Sequence, residues 1–204
     1  MSATLYLEGG AIGPDSKELK IRCREGFRKL LEKCGYGKQR RMPHLVACGS
    51  RHTAFEDFKT ALDAREADDY VALWIDSEDS MVNIETSWVH LRAHGDWPQP
   101  ASATDDQVLF MTTCMETLIT ADHAALKRHY GTELQTAALP PLVNLENRLR
   151  HDVQDKLVHA TRNCANAYAK GKRSFEILAK LAPGILETHL PSFLRTRRIL
   201  NQKL

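Results

Sequence analysis

The sequence predicts an α/β protein in which a mostly parallel sheet is flanked by helices and followed by a helical C-terminal extension. Three observations predict it. Short apolar runs close at Glu8, at Gly49-Ser50 and at Asp76; amphipathic stretches with helical spacing separate them; and beyond Pro140-Pro141 the pattern becomes helical only. Strand-length runs bounded by turn residues and alternating with helices are the pattern of βαβ units and a parallel sheet. At 204 residues the chain has the length of one domain. It divides into an α/β part over residues 1–148 and an extension over 149–204 packed on it.

The first run, Thr4-Leu5-Tyr6-Leu7-Glu8, leads through Gly9-Gly10-Ala11-Ile12-Gly13-Pro14 into a helix. That helix starts near Asp15 or Ser16, both N-cap residue types ahead of Glu18. Leu19, Cys23, Phe27, Leu30 and Cys34 recur at helical spacing as its core stripe, and Gly35 stops it. The second run is His44 to Cys48, and Ala54, Phe55, Phe58, Ala61 and Leu62 mark the second helix. Tyr70 to Ile75 is the third run. Asp96-Trp97-Pro98-Gln99-Pro100-Ala101-Ser102 reads as a surface loop, because proline lacks a donor and restricts the residue before it. Gln107 to Thr113 is expected to be a fourth strand and Cys114 to Tyr130 a helix. The extension should hold helices over Asp152 to Asn166, Ser174 to Leu181 and roughly Pro191 to Leu200.

Composition excludes several classes. A net charge of +2 is too small to announce a polyanion partner by itself. No apolar stretch approaches the ~20 residues a membrane span needs, and the first residues lack the n-region and h-region of a signal peptide. A cytoplasmic protein without a membrane partner is expected. The five cysteines are scattered, with no Cys-x-x-Cys pair to suggest zinc or thiol redox chemistry. No P-loop, Gly-x-Ser-x-Gly elbow or His-Glu-x-x-His helix is present. His90 and His94 could share a helical face, but no third transition-metal ligand follows at a fitting spacing.

The chemistry lies in the acidic strand ends. Ligand crevices of open α/β sheets lie beyond the carboxyl ends of the strands, so Glu8, Asp76 and Glu78 would converge there. Asp76 and Glu78 would share one side of an extended backbone. Carboxylate oxygens suit a hard cation such as Mg²⁺ or Mn²⁺, which usually also engages substrate phosphate. Gly9 and Gly10 would let the backbone turn tightly and approach a ligand. Each motif alone reads equally as an exposed acidic turn or a helix cap; it is their pairing that points to metal. Asp105-Asp106 reads as a cap or loop cluster. Positive charge crowds the first helix at Lys17, Lys20, Arg22, Arg24, Arg28, Lys29 and Lys33, followed by Lys38, Arg40 and Arg41. Such a face either tracks a nucleic-acid backbone or is solvated and paired with Glu18, Glu25 and Glu32. Lys170, Lys172 and Arg173 ahead of a helix are a second candidate phosphate contact, and Arg195, Arg197 and Arg198 would cover a helix end.

A strand ending in Glu-Gly, a helix, and a later strand ending in an Asp-x-Asp-like pair together resemble the Toprim fold. The wider string runs Leu7-Glu8-Gly9-Gly10, Cys23-Arg24-Glu25-Gly26-Phe27, Val46-Ala47-Cys48-Gly49, Ile75-Asp76-Ser77-Glu78, Thr104-Asp105-Asp106-Gln107, Cys114-Met115-Glu116 and Lys170-Gly171-Lys172-Arg173-Ser174-Phe175. It is similar to a bacterial Toprim-like family, domain-of-unknown-function family 4276, related to RloB-type and overcoming-lysogenization-defect nucleases. The resemblance spans nearly the whole chain. It implies that Glu8 is the Toprim glutamate, a general acid/base and metal ligand, and that Asp76 and Glu78 are the metal-binding acidic pair. It also implies that Glu116 matches a glutamate of the RloB-type Cys-Phe-Glu-like segment. The departure is Glu78, one methylene longer than Asp, with Asp79 beside it as a competing ligand. The implied function is a Mg²⁺- or Mn²⁺-dependent nuclease or nucleotidyl-transfer domain acting on DNA or RNA, in phage defence with an AAA-type ATPase partner. The alternative is a catalytically silent module that binds nucleic acid or the ATPase. A phosphatase or nucleotide hydrolase is a weaker third reading.

Overall fold

The computed structural model describes residues 2–10, 16–38 and 41–204. The Ala11-to-Pro14 turn, the Asp15 cap position and Arg40 lie outside the described residues. Strands β1 (Ala3–Glu8), β2 (His44–Gly49), β3 (Tyr70–Asp76) and β4 (Val108–Met111) form one parallel sheet in the order β2-β1-β3-β4. The first two crossovers are the helices α1 (Ser16–Lys33) and α2 (Arg51–Ala64). Because β2 lies on one side of β1 and β3 on the other, the order reverses between β1 and β3. That is the topological switch point at which open α/β sheets bind ligands.

Side-chain alternation splits the core. Leu5, Leu7, Ala72, Trp74, Leu109 and Met111 join Cys23, Phe27 and Leu30 of α1 on one face. Val71, Leu73, Ile75, Val108 and Phe110 meet Phe55 and Phe58 of α2 on the other. With both faces covered, β3 is buried from Tyr70 to Ile75, which is why it reads as an unbroken apolar run. The second face is completed by α3 (Ser87–Gly95), a helix the sequence reading did not place.

The remaining helices are α4 (Met115–Ala121), α5 (His123–Tyr130), α6 (Arg150–Thr161), α7 (Lys172–Leu178), α8 (Pro183–His189) and α9 (Pro191–Lys203). Three expectations are corrected here. The fourth strand is shorter than Gln107 to Thr113, because Gln107 instead donates from its side chain to the Val71 carbonyl (3.0 Å) and accepts from Thr104 N (2.9 Å). The Cys114-to-Tyr130 helix is two helices, broken at Asp122. That carboxylate caps α5 by accepting from Ala125 N (2.8 Å) and also accepts from Ala182 N (2.9 Å), tying the break to the start of α8. The extension has a further helix, α8, between its second and last predicted helices, and its helices bury Leu157, Ile177, Leu178 and Ile199 in the same core as α1.

Helix α1 packs closely on α7. A Cβ built at Gly26 would stand 2.8 Å from the Phe175 carbonyl oxygen and 3.2 Å from Phe175 Cβ. Backbone on the far side of that contact cannot yield as a flexible side chain would. Gly26→Ala is therefore expected to destabilise the protein by about 2 kcal/mol, overpacking outweighing the ~1 kcal/mol that alanine gains in a helix. Urea unfolding measures it, and a Gly26→Ala protein as stable as the parent would refute the close approach.

Candidate metal centre

The three predicted acids meet at the switch point. Glu8, Asp76 and Glu78 each offer a carboxylate oxygen, and these oxygens lie within 4.8 Å of one another. Glu8 closes β1, where the β1–β2 register shifts between Leu7 and Glu8. Bulged positions of this kind often re-aim a side chain beside a site. Its Oε2 accepts from the Asp76 backbone N–H at 3.0 Å, so a side chain takes the place of a ladder carbonyl. Gly9 then turns with φ +147 and exchanges two backbone hydrogen bonds with Gly49 (3.2 and 2.9 Å). A Cβ at Gly9 would lie 2.8 Å from Cys23 Sγ, so the turn beside Glu8 has no room for another residue.

Asp76 and Glu78 meet by a different route from the one expected. The backbone is not extended at Glu78, which adopts φ +72, a left-handed conformation that is uncommon for a residue with a long side chain. The turn is fixed on three sides. Ser77 N and Glu78 N donate to the carbonyls of Met111 (3.2 Å) and Thr113 (3.0 Å), Ser77 Oγ donates to the Asp79 carbonyl (2.6 Å), and His90 Nε2 donates to the Ser77 carbonyl (2.9 Å). That last contact explains the His90/His94 pair. The two rings stack at 4.5 Å, His94 Nδ1 lies 3.2 Å from Asp79, and burial lowers the His90 pKa, so the pair buttresses the acidic turn.

The charges are crowded. Burial first, then Glu8 and Glu116, push the Asp76 carboxyl well above the usual carboxylate range; Lys170 pulls it down and Glu78 pushes it up. Glu8 is raised mainly by burial and also by Glu78, against the Asp76 N–H, Arg51 and Lys170, which lower it. Asp76 Oδ1 is inaccessible and has no hydrogen-bond partner among the described residues. An orphaned carboxylate oxygen in an all-oxygen donor set fits a hard cation, since a buried charge otherwise stands uncompensated. The residues present therefore fit Mg²⁺ or Mn²⁺, with Glu8, Asp76 and Glu78 as the side chains to hold it.

Glu116 stands behind this cluster in α4. It is 2% exposed and accepts from Tyr168 Oη (2.6 Å) and Gln154 Nε2 (3.1 Å), with Lys170 Nζ at 3.9 Å. Ser174 Oγ lies 2.8 Å from Tyr168 Oη, which links the start of α7 to the same network. Arg150 of α6 pairs with Glu78. Tyr168, Gln154 and Arg150 were not singled out from the sequence; only folding brings them to the acids.

The basic candidates divide. Lys170 reaches the acidic network, and Lys20 lies beside the turn, its Cγ 2.9 Å from where a Cβ on Gly10 would be. Arg24 and Arg28 instead line an open groove with Met42 and His44 along β2, and Arg28 pairs with Glu32 at 3.0 Å. Arg22–Glu18 (2.8 Å) and Lys29–Glu25 (2.8 Å) are further helical pairs, so much of the α1 face is self-neutralised. Lys172 is exposed, whereas Arg173 gives one of its donors, Nη1, to the Ala167 carbonyl.

Protein-family models, curated proteins and solved structures give no match to this chain. The functional reading therefore rests on the geometry above and on the residues that carry the resemblance. Among the described residues, no helix is long and apolar enough to cross a membrane.

Proposed function

We propose that this chain is a Mg²⁺- or Mn²⁺-dependent Toprim-like nuclease or nucleotidyl-transfer domain, cleaving or transferring phosphodiesters of DNA or RNA in the cytoplasm. The observation that carries the reading is the convergence of Glu8, Asp76 and Glu78 at the switch point, with Asp76 Oδ1 unpartnered. A divalent cation, when bound, would neutralise the phosphate and stabilise the developing charge on the leaving oxygen. The chain's own residues supply the rest. Glu8, whose carboxyl burial holds above its ordinary range in the metal-free protein, is the side chain to move the proton, either taking one from an attacking water or returning one to the leaving oxygen. Lys170 sits where it can meet a phosphate oxygen while it balances Glu116. Glu116, fixed by Tyr168 and Gln154, keeps negative charge beside Asp76 and strengthens its demand for a cation. An AAA-type ATPase partner and a role in phage defence belong to the same reading through the family resemblance.

One observation favours the second reading, a catalytically silent nucleic-acid- or ATPase-binding module: Arg150 already neutralises Glu78. Incubation with single- and double-stranded DNA and RNA, in Mg²⁺, Mn²⁺ or chelator, with and without an ATPase encoded beside the gene, separates the two. The nuclease reading expects metal-dependent cleavage that falls on the order of 10³-fold in folded Glu8→Gln and Asp76→Asn. Intact substrate in every lane, with nucleic-acid binding retained, would select the silent module.

A further inference from the structure

The turn from β2 into α2 places a guanidinium without a partner next to the acidic cluster. Arg51 is the first residue of α2, after Ser50, whose Oγ caps the helix by accepting from Thr53 N at 3.0 Å. Two residues before Arg51, Gly49 pairs with Gly9, the neighbour of Glu8. The Arg51 side chain is held on an aromatic platform. Its guanidinium carbon lies 4.5 Å from the Trp97 ring centroid, and Trp97 stacks on Phe55 at 4.2 Å with the planes 6° apart. Beside the ring, Nη1 stands 3.6 Å from where a Cβ on Gly95 would be.

This fork has donors to spare. Arg51 Nε and Nη2 are inaccessible and have no hydrogen-bond partner among the described residues. Its charge is nevertheless felt in the site, since it acts on both Glu8 and His90. A guanidinium cannot shed its proton to relieve such a position, so it calls for an acceptor, and an anionic one would satisfy its charge as well as its donors. Glu8 is not that partner here, since no hydrogen bond joins it to Arg51 Nε or Nη2, and its Oε2 accepts from the Asp76 N–H. Nε and Nη2 are closed off, so an oxyanion at the mouth of the site would meet the guanidinium first at Nη1 and reach the inner donors only by displacing what packs on them, with the positive end of the α2 dipole behind.

We infer that Arg51, stacked on Trp97, is the phosphate-binding group of this site, and that it takes non-bridging oxygens of a phosphate or phosphodiester. The inference deepens the phosphodiester reading and rests on it for the identity of the substrate. It also answers a physical problem that reading leaves, since three carboxylates repel a phosphate from the side that the cation does not cover. A rigid, planar fork gives orientation as well as charge, which a lysine does not. Arg51 was not among the basic residues the sequence singled out; a lone arginine after Gly-Ser carries no pattern.

The test needs neither turnover nor nucleic acid. Inorganic phosphate is titrated into metal-free and Mg²⁺-loaded protein, followed by Trp97 fluorescence and by the shift in melting temperature. Trp74 and Trp88 are buried, so Trp97 is the indole placed to report. Saturable binding is expected, weakened at least about tenfold in Arg51→Gln and less in Arg51→Lys, which keeps the charge but loses the fork. Trp97→Phe should abolish the fluorescence change while the thermal shift persists. Equal phosphate affinity in the parent and Arg51→Gln, with circular dichroism showing both folded, would overturn the inference. Should Arg51→Gln not fold, Arg51→Lys carries the same comparison, with unaltered affinity and unaltered fluorescence response as the refuting result. The two readings fail separately. Phosphate held at Arg51 without metal-dependent cleavage of any nucleic acid would sink the nuclease assignment alone, whereas cleavage with no contribution from Arg51 would sink this one alone.

Discussion

Asp76→Asn is expected to make the metal-free protein more stable and to erase its response to Mg²⁺. The Asp76 carboxyl is raised well above its ordinary range by burial and by Glu8, Glu116 and Glu78, so ionising it in the folded state is unfavourable. Asparagine removes that charge and adds a donor facing acceptor oxygens. A gain of about 1–2 kcal/mol follows, of the kind that relief of a strained site gives, or roughly 2–8 °C in melting temperature for a chain of this length. The sign with pH is fixed by linkage. Raised folded-state values for Asp76 and Glu8 mean that the native state binds more protons than the unfolded chain. Their contribution is fully present below the unfolded carboxylate range and is lost as pH rises through the folded values. Metal-free parent protein should therefore lose stability as pH rises above the ordinary carboxylate range, and Asp76→Asn should flatten that slope. Saturating Mg²⁺ reverses the trend, because the ligands must be deprotonated and binding releases protons. At about one hundred times its Kd the cation would add ~2.7 kcal/mol to the parent and nothing comparable to the variant. Thermal scans across pH, with Mg²⁺ and with chelator, read all of this. A Mg²⁺ shift that survives in Asp76→Asn would place the cation elsewhere.

The acids were legible because the sheet made them so. Both faces of β3 are covered, so its residues are apolar without alternation, and the first carboxylate after such a run stands out. Glu8 was legible as the acid closing a shorter run in which Leu5 and Leu7 are buried, reinforced by two glycines that the close approach to Cys23 and Lys20 demands. The alternation of β1, α1, β2, α2 and β3 followed from periodicity and the turn residues between the runs, whereas α3, between β3 and β4, did not. What failed to read was whatever depends on distant partners. Tyr168 meets Glu116 across 52 residues of chain, and Arg150 meets Glu78 across 72, and neither separation leaves a local pattern. The basic stripe of α1 read two ways, and for Arg22, Arg28 and Lys29 the structure shows the local pairing with Glu18, Glu32 and Glu25 that one of them expected. The break at Asp122 left a signal, an aspartate within an otherwise continuous helical stretch, but its second partner, Ala182 N, belongs to another element. The terminal arginines were assigned to a helix end. Arg197 does reach one, donating from Nη1 to the Cys34 carbonyl just past the end of α1 (2.7 Å), whereas Arg195 and Arg198 act elsewhere.

Arg195→Met is expected to cost about 3 kcal/mol and to weaken the metal site from a distance. Arg195 is 4% exposed and lies in α9, which covers β4 at the edge of the sheet. Covering such an edge is one of the ways proteins prevent strand addition. Its Nη1 donates to the Val108 carbonyl at 2.8 Å, Nη2 to the Asp105 carbonyl at 2.7 Å and Nε to Glu85 at 3.2 Å. Methionine keeps much of the packing volume, so the loss measures the three charge-assisted bonds and not a cavity. The loss stays near the low end of the ~3–5 kcal/mol typical when a buried ion pair is broken. Val108 retains a bond from Ser87 Oγ (3.3 Å), Asp105 retains one from the Val108 N–H, and Glu85 retains Arg198 (2.6 Å). The melting temperature should fall by roughly 6–12 °C, with Arg195→Lys between parent and Met because one ammonium cannot reach three acceptors. A change below about 0.5 kcal/mol would assign Arg195 the role of an ordinary surface residue. The effect on the site runs through named contacts. Arg195 holds Asp105, whose Oδ1 caps α3 by accepting from Trp88 N at 2.9 Å. Helix α3 carries His90 to the Ser77 carbonyl, and that bond holds the turn in which Glu78 takes its left-handed conformation beside Asp76. Loosening the far end of that chain should lower Mg²⁺ affinity although Arg195 touches none of the carboxylates that hold the cation. An Arg195→Met protein with lowered stability and unaltered Mg²⁺ affinity would instead show that the acidic turn is held by its contacts with Met111 and Thr113 alone.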